Sequence, residues 1–209
     1  GYAITGATAS FGAGNYDIMV VKLNVSGTIE WVKAIGGTAY EAPYCIIQSS
    51  DGGYAIAGTS RTFGAGNDDL YIVKLNNSGN LEWSKTIGGA GNEDATGITQ
   101  AADGGFLAAG YTRTYGAGDA DIYVAKLSST GDVSWNKTIG GTSTDICVSV
   151  KSTSDGGFVL AGYTKSFVTT PSDYDFYIIK IDAGGNIIWN NIIGGTGDDQ
   201  AWSVIQSSD

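Results

Sequence analysis

The tripeptide Asp-Gly-Gly recurs at Asp51, Asp103 and Asp155, an interval of 52 residues each time. A period of this size marks a repeat architecture, because one such unit cannot bury its apolar face alone. Aligned on that frame, the chain holds four copies, approximately 1–52, 53–104, 105–156 and 157–209. They share Gly6, Gly58, Gly110 and Gly162, then Asp17, Asp69, Asp121 and Asp175, then Lys22, Lys74, Lys126 and Lys180. Trp31, Trp83, Trp135 and Trp189 follow, and each copy then reaches a Gly-Gly pair starting at Gly36, Gly88, Gly140 or Gly194.

Each copy reads as four short strands. In the second copy the runs are Tyr54 to Thr59, Leu70 to Leu75, Leu81 to Ile87 and Ala95 to Gln100. Between them lie residues that accept positive φ, as tight hairpins require. Leu70-Tyr71-Ile72-Val73, Ile122-Tyr123-Val124-Ala125 and Phe176-Tyr177-Ile178-Ile179 are apolar on consecutive positions, so both faces of each sheet must be covered. A row of sheets would leave apolar faces bare at its ends, whereas a ring leaves none. The expected fold is therefore an all-β propeller of four blades. The run at 201–207 would join the N-terminal blade as its first strand and close the ring.

The blade pattern, Gly-Gly-aromatic, a Tyr-rich strand ending in Lys-Leu, then Ser-Gly-Asn-x-x-Trp, resembles the tandem β-propeller repeats of bacterial and archaeal secreted and cell-surface proteins. The hairpin from Lys74 to Trp83 is also similar to blades of quinoprotein-type propellers, although nothing in the sequence matches a quinone site. The resemblance implies a fold and an extracellular or cell-surface setting. Such relatives usually carry more blades, which leaves open half of a larger ring completed by a second chain or by further sequence. In the fourth copy Val168-Thr169-Thr170-Pro171-Ser172 replaces Gly-Ala-Gly and breaks the symmetry of one loop.

Composition narrows the chemistry. Eleven Lys and Arg against 21 Asp and Glu give a net charge of −10, which disfavours nucleic acid and anionic membrane. No apolar run approaches the roughly 20 residues of a spanning helix. The absence of His removes Ser-His-Asp and Cys-His nucleophile pairs. Asp17, Asp69, Asp121 and Asp175 read as turn-closing side chains that accept backbone N–H bonds. Glu41, Glu93, Asp145 and Asp199 precede the innermost strands; facing one channel mouth, they would repel unless splayed into water or bridged by a hard cation such as Ca²⁺. Phe11, Phe63, Tyr115 and Phe167 lie on loops of that same face, either as a floor for sugars or tucked against a neighbouring blade. The Trp and Lys sets read as packing. Cys45 and Cys147 read as free thiols, while Asn24, Asn76 and Asn136 fit the N-glycosylation acceptor pattern.

Equivalent carboxylates argue against catalysis, which needs two acids driven to different pKa values. Only the fourth loop, near Asp173 and Asp175, offers a distinct environment for an enzyme such as a glycoside hydrolase. The expectation is a non-catalytic extracellular or cell-surface module for assembly, adhesion or display, with protein or glycan partners and possible self-association. A carbohydrate-binding, cation-assisted propeller is the alternative.

Overall fold

The computed structural model describes residues 1–168 and 173–208, so most of the divergent fourth loop, Thr169 to Ser172, lies outside the described residues. The chain divides into two compact units, Gly1–Ala95 and Thr96–Asp209. Among the described residues every regular element is a β-strand, and no helix is long and apolar enough to cross a membrane.

In the first unit, β1 (Tyr2–Thr8), β2 (Asp17–Leu23) and β3 (Ile29–Ile35) form a three-stranded antiparallel sheet. β4 (Glu41–Gln48), β5 (Tyr54–Ser60), β6 (Asp69–Leu75) and β7 (Leu81–Ile87) form a four-stranded one. β8 (Glu93–Gln100) begins in this unit and runs into the second. There it is the edge of a sheet with β9 (Phe106–Thr112), β10 (Asp121–Leu127) and β11 (Val133–Ile139). The last sheet holds β12 (Asp145–Ser152), β13 (Phe158–Thr164), β14 (Asp175–Ile181) and β15 (Ile187–Ile193). Four antiparallel sheets match the four repeats, and three of them have the expected four strands. Residues 201–208 form no strand. They run along the last sheet, where Ala201 N donates to Gly162 O at 3.4 Å and Gln206 exchanges hydrogen bonds with Ser154.

The consecutive apolar residues of the central strands are explained by burial on both faces. β5, β6 and β10 are buried along their whole lengths. In the first unit Ile18, Val20, Tyr54, Ile56, Tyr71 and Val73 share one core. In the second, Leu107, Ile122, Val124, Phe158, Leu160 and Tyr177 share another. Within each unit the first strand of the later sheet packs on the earlier sheet, β4 on β1 and β2, and β12 on β9 and β10.

The outer parts of adjacent sheets meet through a repeated contact. The hairpin of β6 and β7 sets Gly79 on the Trp31 ring, and Lys33 Nζ donates to Asn80 Oδ1 at 3.3 Å. In the second unit Gly185 sits on Trp135, and Lys137 Nζ donates to Asn186 Oδ1 at 2.9 Å. Trp31 and Trp135 are therefore seats for a neighbouring turn. Gly79 and Gly185 have φ of 75° and 76°, a conformation L side chains rarely adopt, and any Cβ there would strike the indole.

Gly58 and Gly162 are required for a different reason. Each faces a bulge in the innermost strand, and a Cβ would collide with the carbonyl of Ala42 or Ile146. Backbone cannot yield as a side-chain tip does. Gly58→Ala or Gly162→Ala is expected to lower unfolding free energy by about 1–3 kcal/mol, the range for overpacking. Urea denaturation checks this, and a change within about 0.5 kcal/mol, the level of an inert surface substitution, would refute the reading.

Candidate functional site

The repeated acidic residues are engaged by their own connections. Asp17, Asp69 and Asp121 open β2, β6 and β10, and each reaches back to its glycine loop. Their Oδ2 atoms accept from Gly14, Gly66 and Gly118 N at 3.2, 3.1 and 3.0 Å. This is the turn-closing arrangement. Asp175 occupies the same place at the head of β14 and is also buried.

Glu41, Glu93 and Asp145 are 0% exposed, so they do not form a solvated rim. Glu41 Oε2 accepts from Gly37 N at 2.6 Å, and Oε1 from Ser60 Oγ and Thr62 N at 2.8 and 3.1 Å. Glu93 accepts from Gly89 N at 2.7 Å. Asp145 takes Gly141 N at 2.8 Å, Ser166 Oγ at 2.6 Å and the Thr164 hydroxyl. Asp199 is half-buried and accepts from Gly195 N at 3.1 Å. Each carboxylate thus ties a Gly-Gly connection to the strand it precedes. Among the described residues, no three acidic, His or Cys side chains come together as a metal-holding group.

The two acidic sets meet inside each repeat. A Cβ on Gly36 would touch both Asp17 and Glu41, one on Gly88 both Asp69 and Glu93, and one on Gly140 both Asp121 and Asp145. Burial pushes the Asp121 carboxyl above the ordinary range, and the neighbouring Asp145 adds to that. Both members of each pair are buried.

A third acidic set emerges from the structure. Lys74, only 2% exposed, pairs with Asp51 at 2.8 Å and Glu82 at 2.8 Å and donates to Leu75 O. Lys126 pairs with Asp103 at 2.8 Å and Lys180 with Asp155 at 3.0 Å. Lys22 has Glu30 at 2.8 Å. Each of these lysines also lies cross-strand from its repeat's Trp. The sequence carried a signal for the pairing: Asp103 and Lys126 are 23 residues apart, the spacing of Asp51 and Lys74. In the Asp-Gly-Gly turn the same carboxylates accept from Gly53, Gly105 and Gly157 N.

The loop aromatics pack on tyrosines of their own repeats. Ring centroids are 5.6 Å apart for Phe63 and Tyr71, 5.7 Å for Tyr115 and Tyr123, and 5.5 Å for Phe167 and Tyr177. Phe11 has Met19 at the corresponding position and is the most exposed of the four. Tyr115 and Tyr123 stack and, with Asn136, Lys137 and Thr138, line a surface groove of about 340 Å³. Asn136 is exposed on β11, whereas Asn24 and Asn76 use their Oδ1 atoms to close hairpin turns. Cys45 and Cys147 are both free thiols, and burial pushes that of Cys147 up to about 12.

No family model and no curated protein matches this chain. Among solved structures it is similar to a protein of unknown function from Bacteroides caccae, with TM-score 0.53, 10% identity and 99% of this chain covered. The chain spans 61% of that protein's length. It is also similar to an arabinanase from Bacillus subtilis, with TM-score 0.46, 14% identity, and 92% and 76% of the two chains covered. A eukaryotic initiation factor follows with TM-score 0.43, 10% identity, and 92% and 43% covered.

The lysine pairs carry a pH dependence. The hydrogen bond from Lys74 holds the Asp51 carboxyl down at about 2, and Lys126 lowers Asp103 likewise. Carboxyls depressed in the folded state add stability above their unfolded value near 4, and lose it as pH falls toward the folded value. Thermal stability is expected to decline from about pH 4 to pH 2. Asp103→Asn should flatten that limb and remove about 1–3 kcal/mol at neutral pH, because buried Lys126 loses its anionic partner. Calorimetry across pH checks both, and an unchanged acid limb in the variant would refute the assignment.

Proposed function

We propose that the four sheets are blades of a β-propeller closed by residues 199–206, and that the disc is a non-catalytic extracellular or cell-surface scaffold for assembly or adhesion. The function rests on one observation: the repeated carboxylates that could have formed a site are occupied with loops, turns and lysines. What remains outside is a frame of similar sheets with no asymmetric reactive cluster among the described residues.

Closure is supported by features that each unit carries separately. The segment Asp199-Gln200-Ala201-Trp202-Ser203-Val204-Ile205-Gln206 repeats the pattern of β4, from Glu41 to Gln48. β1 has the same glycine as β5 and β13, yet a Cβ on Gly6 would meet nothing within 4 Å. The residue that makes room for an inner strand is therefore present beside an open edge. Next to it lies a groove of about 350 Å³ lined by Ala3, Lys22, Ile46, Ile47 and Tyr54 among others. The turn from Asn24 to Thr28 likewise has a glycine, Gly27, that meets no ring, while Trp189 is 44% exposed. Where the other seats join Lys33 to Asn80 and Lys137 to Asn186, this one would join Asn191 to Thr28.

A second reading, carbohydrate binding, is favoured by the Tyr115–Tyr123 groove, whose stacked rings and amide and hydroxyl neighbours suit a sugar. A glycan array with and without chelator separates the two. No binding in either condition is expected for the scaffold. Binding abolished by Tyr115→Ala would establish the second reading instead.

Closure is tested by Gly6→Ala. With residues 199–206 laid against β1, the variant should lose about 1–3 kcal/mol, as Gly58→Ala does. An effect within about 0.5 kcal/mol would mean an uncovered β1 edge. A loss that depends on protein concentration would mean a strand supplied by another copy.

A further inference from the structure

Within each unit a buried pair of carboxyl groups spans two neighbouring sheets. Asp17 heads β2 of one sheet and Glu41 heads β4 of the next, as Asp121 heads β10 and Asp145 heads β12. A Cβ on Gly36 would lie under 3.0 Å from both Asp17 Oδ1 and Glu41 Oε2, and one on Gly140 equally close to Asp121 Oδ1 and Asp145 Oδ2. The facing oxygens therefore stand within the roughly 4–6 Å over which one charge governs the ionisation of another. Two negative charges this close and this deep require a positive charge or a proton between them.

No side chain supplies the positive charge. Among the described residues, no lysine or arginine makes an ion pair with any of the four acids. Arg61 lies between Ser60 and Thr62, which both donate to Glu41, yet its guanidinium turns to Asp68 and the Tyr40 ring. Lys165 lies between Thr164 and Ser166, which both donate to Asp145, yet its Nζ sits 4.1 Å from the centre of the Tyr174 ring. Also facing the pairs are Tyr71 of β6, towards Glu41, and Tyr177 of β14, towards Asp145, whose phenols burial keeps protonated. No third acidic side chain joins either pair as a metal ligand among the described residues.

The hydrogen-bond donors decide where a proton belongs. Glu41 accepts from Gly37 N, Ser60 Oγ and Thr62 N, and Asp145 from Gly141 N, Ser166 Oγ and the Thr164 hydroxyl. Such donors stabilise these two as anions. Asp17 accepts on Oδ2 from Gly14 N, while its buried Oδ1, on the Glu41 side, accepts nothing. A proton on Oδ1 turns that acceptor into a donor towards the carboxylate. Asp121 holds the same place, its Oδ2 accepting from Gly118 N and its Oδ1 facing Asp145. We propose that each pair is a carboxylic acid hydrogen-bonded to a carboxylate, Asp17 to Glu41 and Asp121 to Asp145, and that the shared proton is a pH-sensitive latch between adjacent sheets. Its loss leaves two anions facing each other across the sheet interface. The latch lies within each unit and needs neither ring closure nor a partner.

A proton held by the folded pair but not by the unfolded chain contributes stability that is fully present below the unfolded value near 4 and is lost as pH rises through the folded value. The lysine–aspartate pairs have the opposite sign and act below about pH 4, so the two limbs separate. Urea unfolding of the full chain from about pH 5 to pH 8 tests the latch, the unfolding constant rising up to tenfold per pH unit for each shared proton. Asp17→Asn sets a permanent amide donor where the proton sits and should remove one proton's share of that rise; adding Asp121→Asn should remove a second. Both variants should gain on wild type as pH rises, whereas a merely structural aspartate would shift every pH alike. Infrared spectra of folded wild type near pH 6, where exposed carboxyls are ionised, should show the C=O stretch of a carboxylic acid that disappears on unfolding. An unfolding constant equally steep in wild type and the double variant would overturn the proposal, as would the absence of that band. Calcium-dependent stability, abolished by chelator and insensitive to pH, would assign the pairs to a cation and overturn it too.

Discussion

A sheet that is apolar on both faces must be covered on both faces. That constraint organises this chain. It makes the central strands β5, β6 and β10 read as unbroken hydrophobic runs, and it turns each repeat into an unstable unit that needs the next. Burial of such strands contributes roughly 25 cal/mol per Å² of apolar surface removed from water, so separating the sheets would forfeit much of what holds the chain folded. The observed stacking within each unit, inner strand on preceding sheet and hairpin turn on Trp, is how the covering is achieved.

Polar groups caught in this packing are handled by repetition. The buried lysines are matched to the Asp of the Asp-Gly-Gly turn, and the buried acids to backbone N–H groups of glycine connections. An unpaired charge at these depths would cost several kcal/mol, so partner and burial go together for these groups, while the buried Oδ1 atoms of Asp17, Asp69 and Asp175 accept no hydrogen bond. The same matching holds Glu41 and Asp145 to the glycine connections that they close. An acid such as Asp145, which looks available in sequence, is fully enclosed in the fold.

The repeats are similar without being identical, and their differences fall at edges. On β15 Asn191 stands where β3, β7 and β11 have lysine, and Ile188 where β3 and β7 have glutamate. The open features of β1, with Gly6 and the adjoining groove, stand at another edge of the repeat frame. A repeat protein expresses its individuality where the periodic contact stops.

Spacing alone determined the repeat, the strands and their turns, because the period-52 recurrence of Gly, Asp, Lys and Trp maps directly onto local backbone geometry. Asp17 and Asp69 were legible as turn closers for the same reason, their partners being three residues away. Glu41 and Asp145 were legible as a set but not as buried residues, since the Ser60 and Ser166 hydroxyls that satisfy them come from another strand or loop. Ladder pairing and enclosure are properties of segments distant in the chain. Only the tertiary structure decided which carboxylates are hidden, which lysine meets which aspartate, and which edge is left uncharged and exposed.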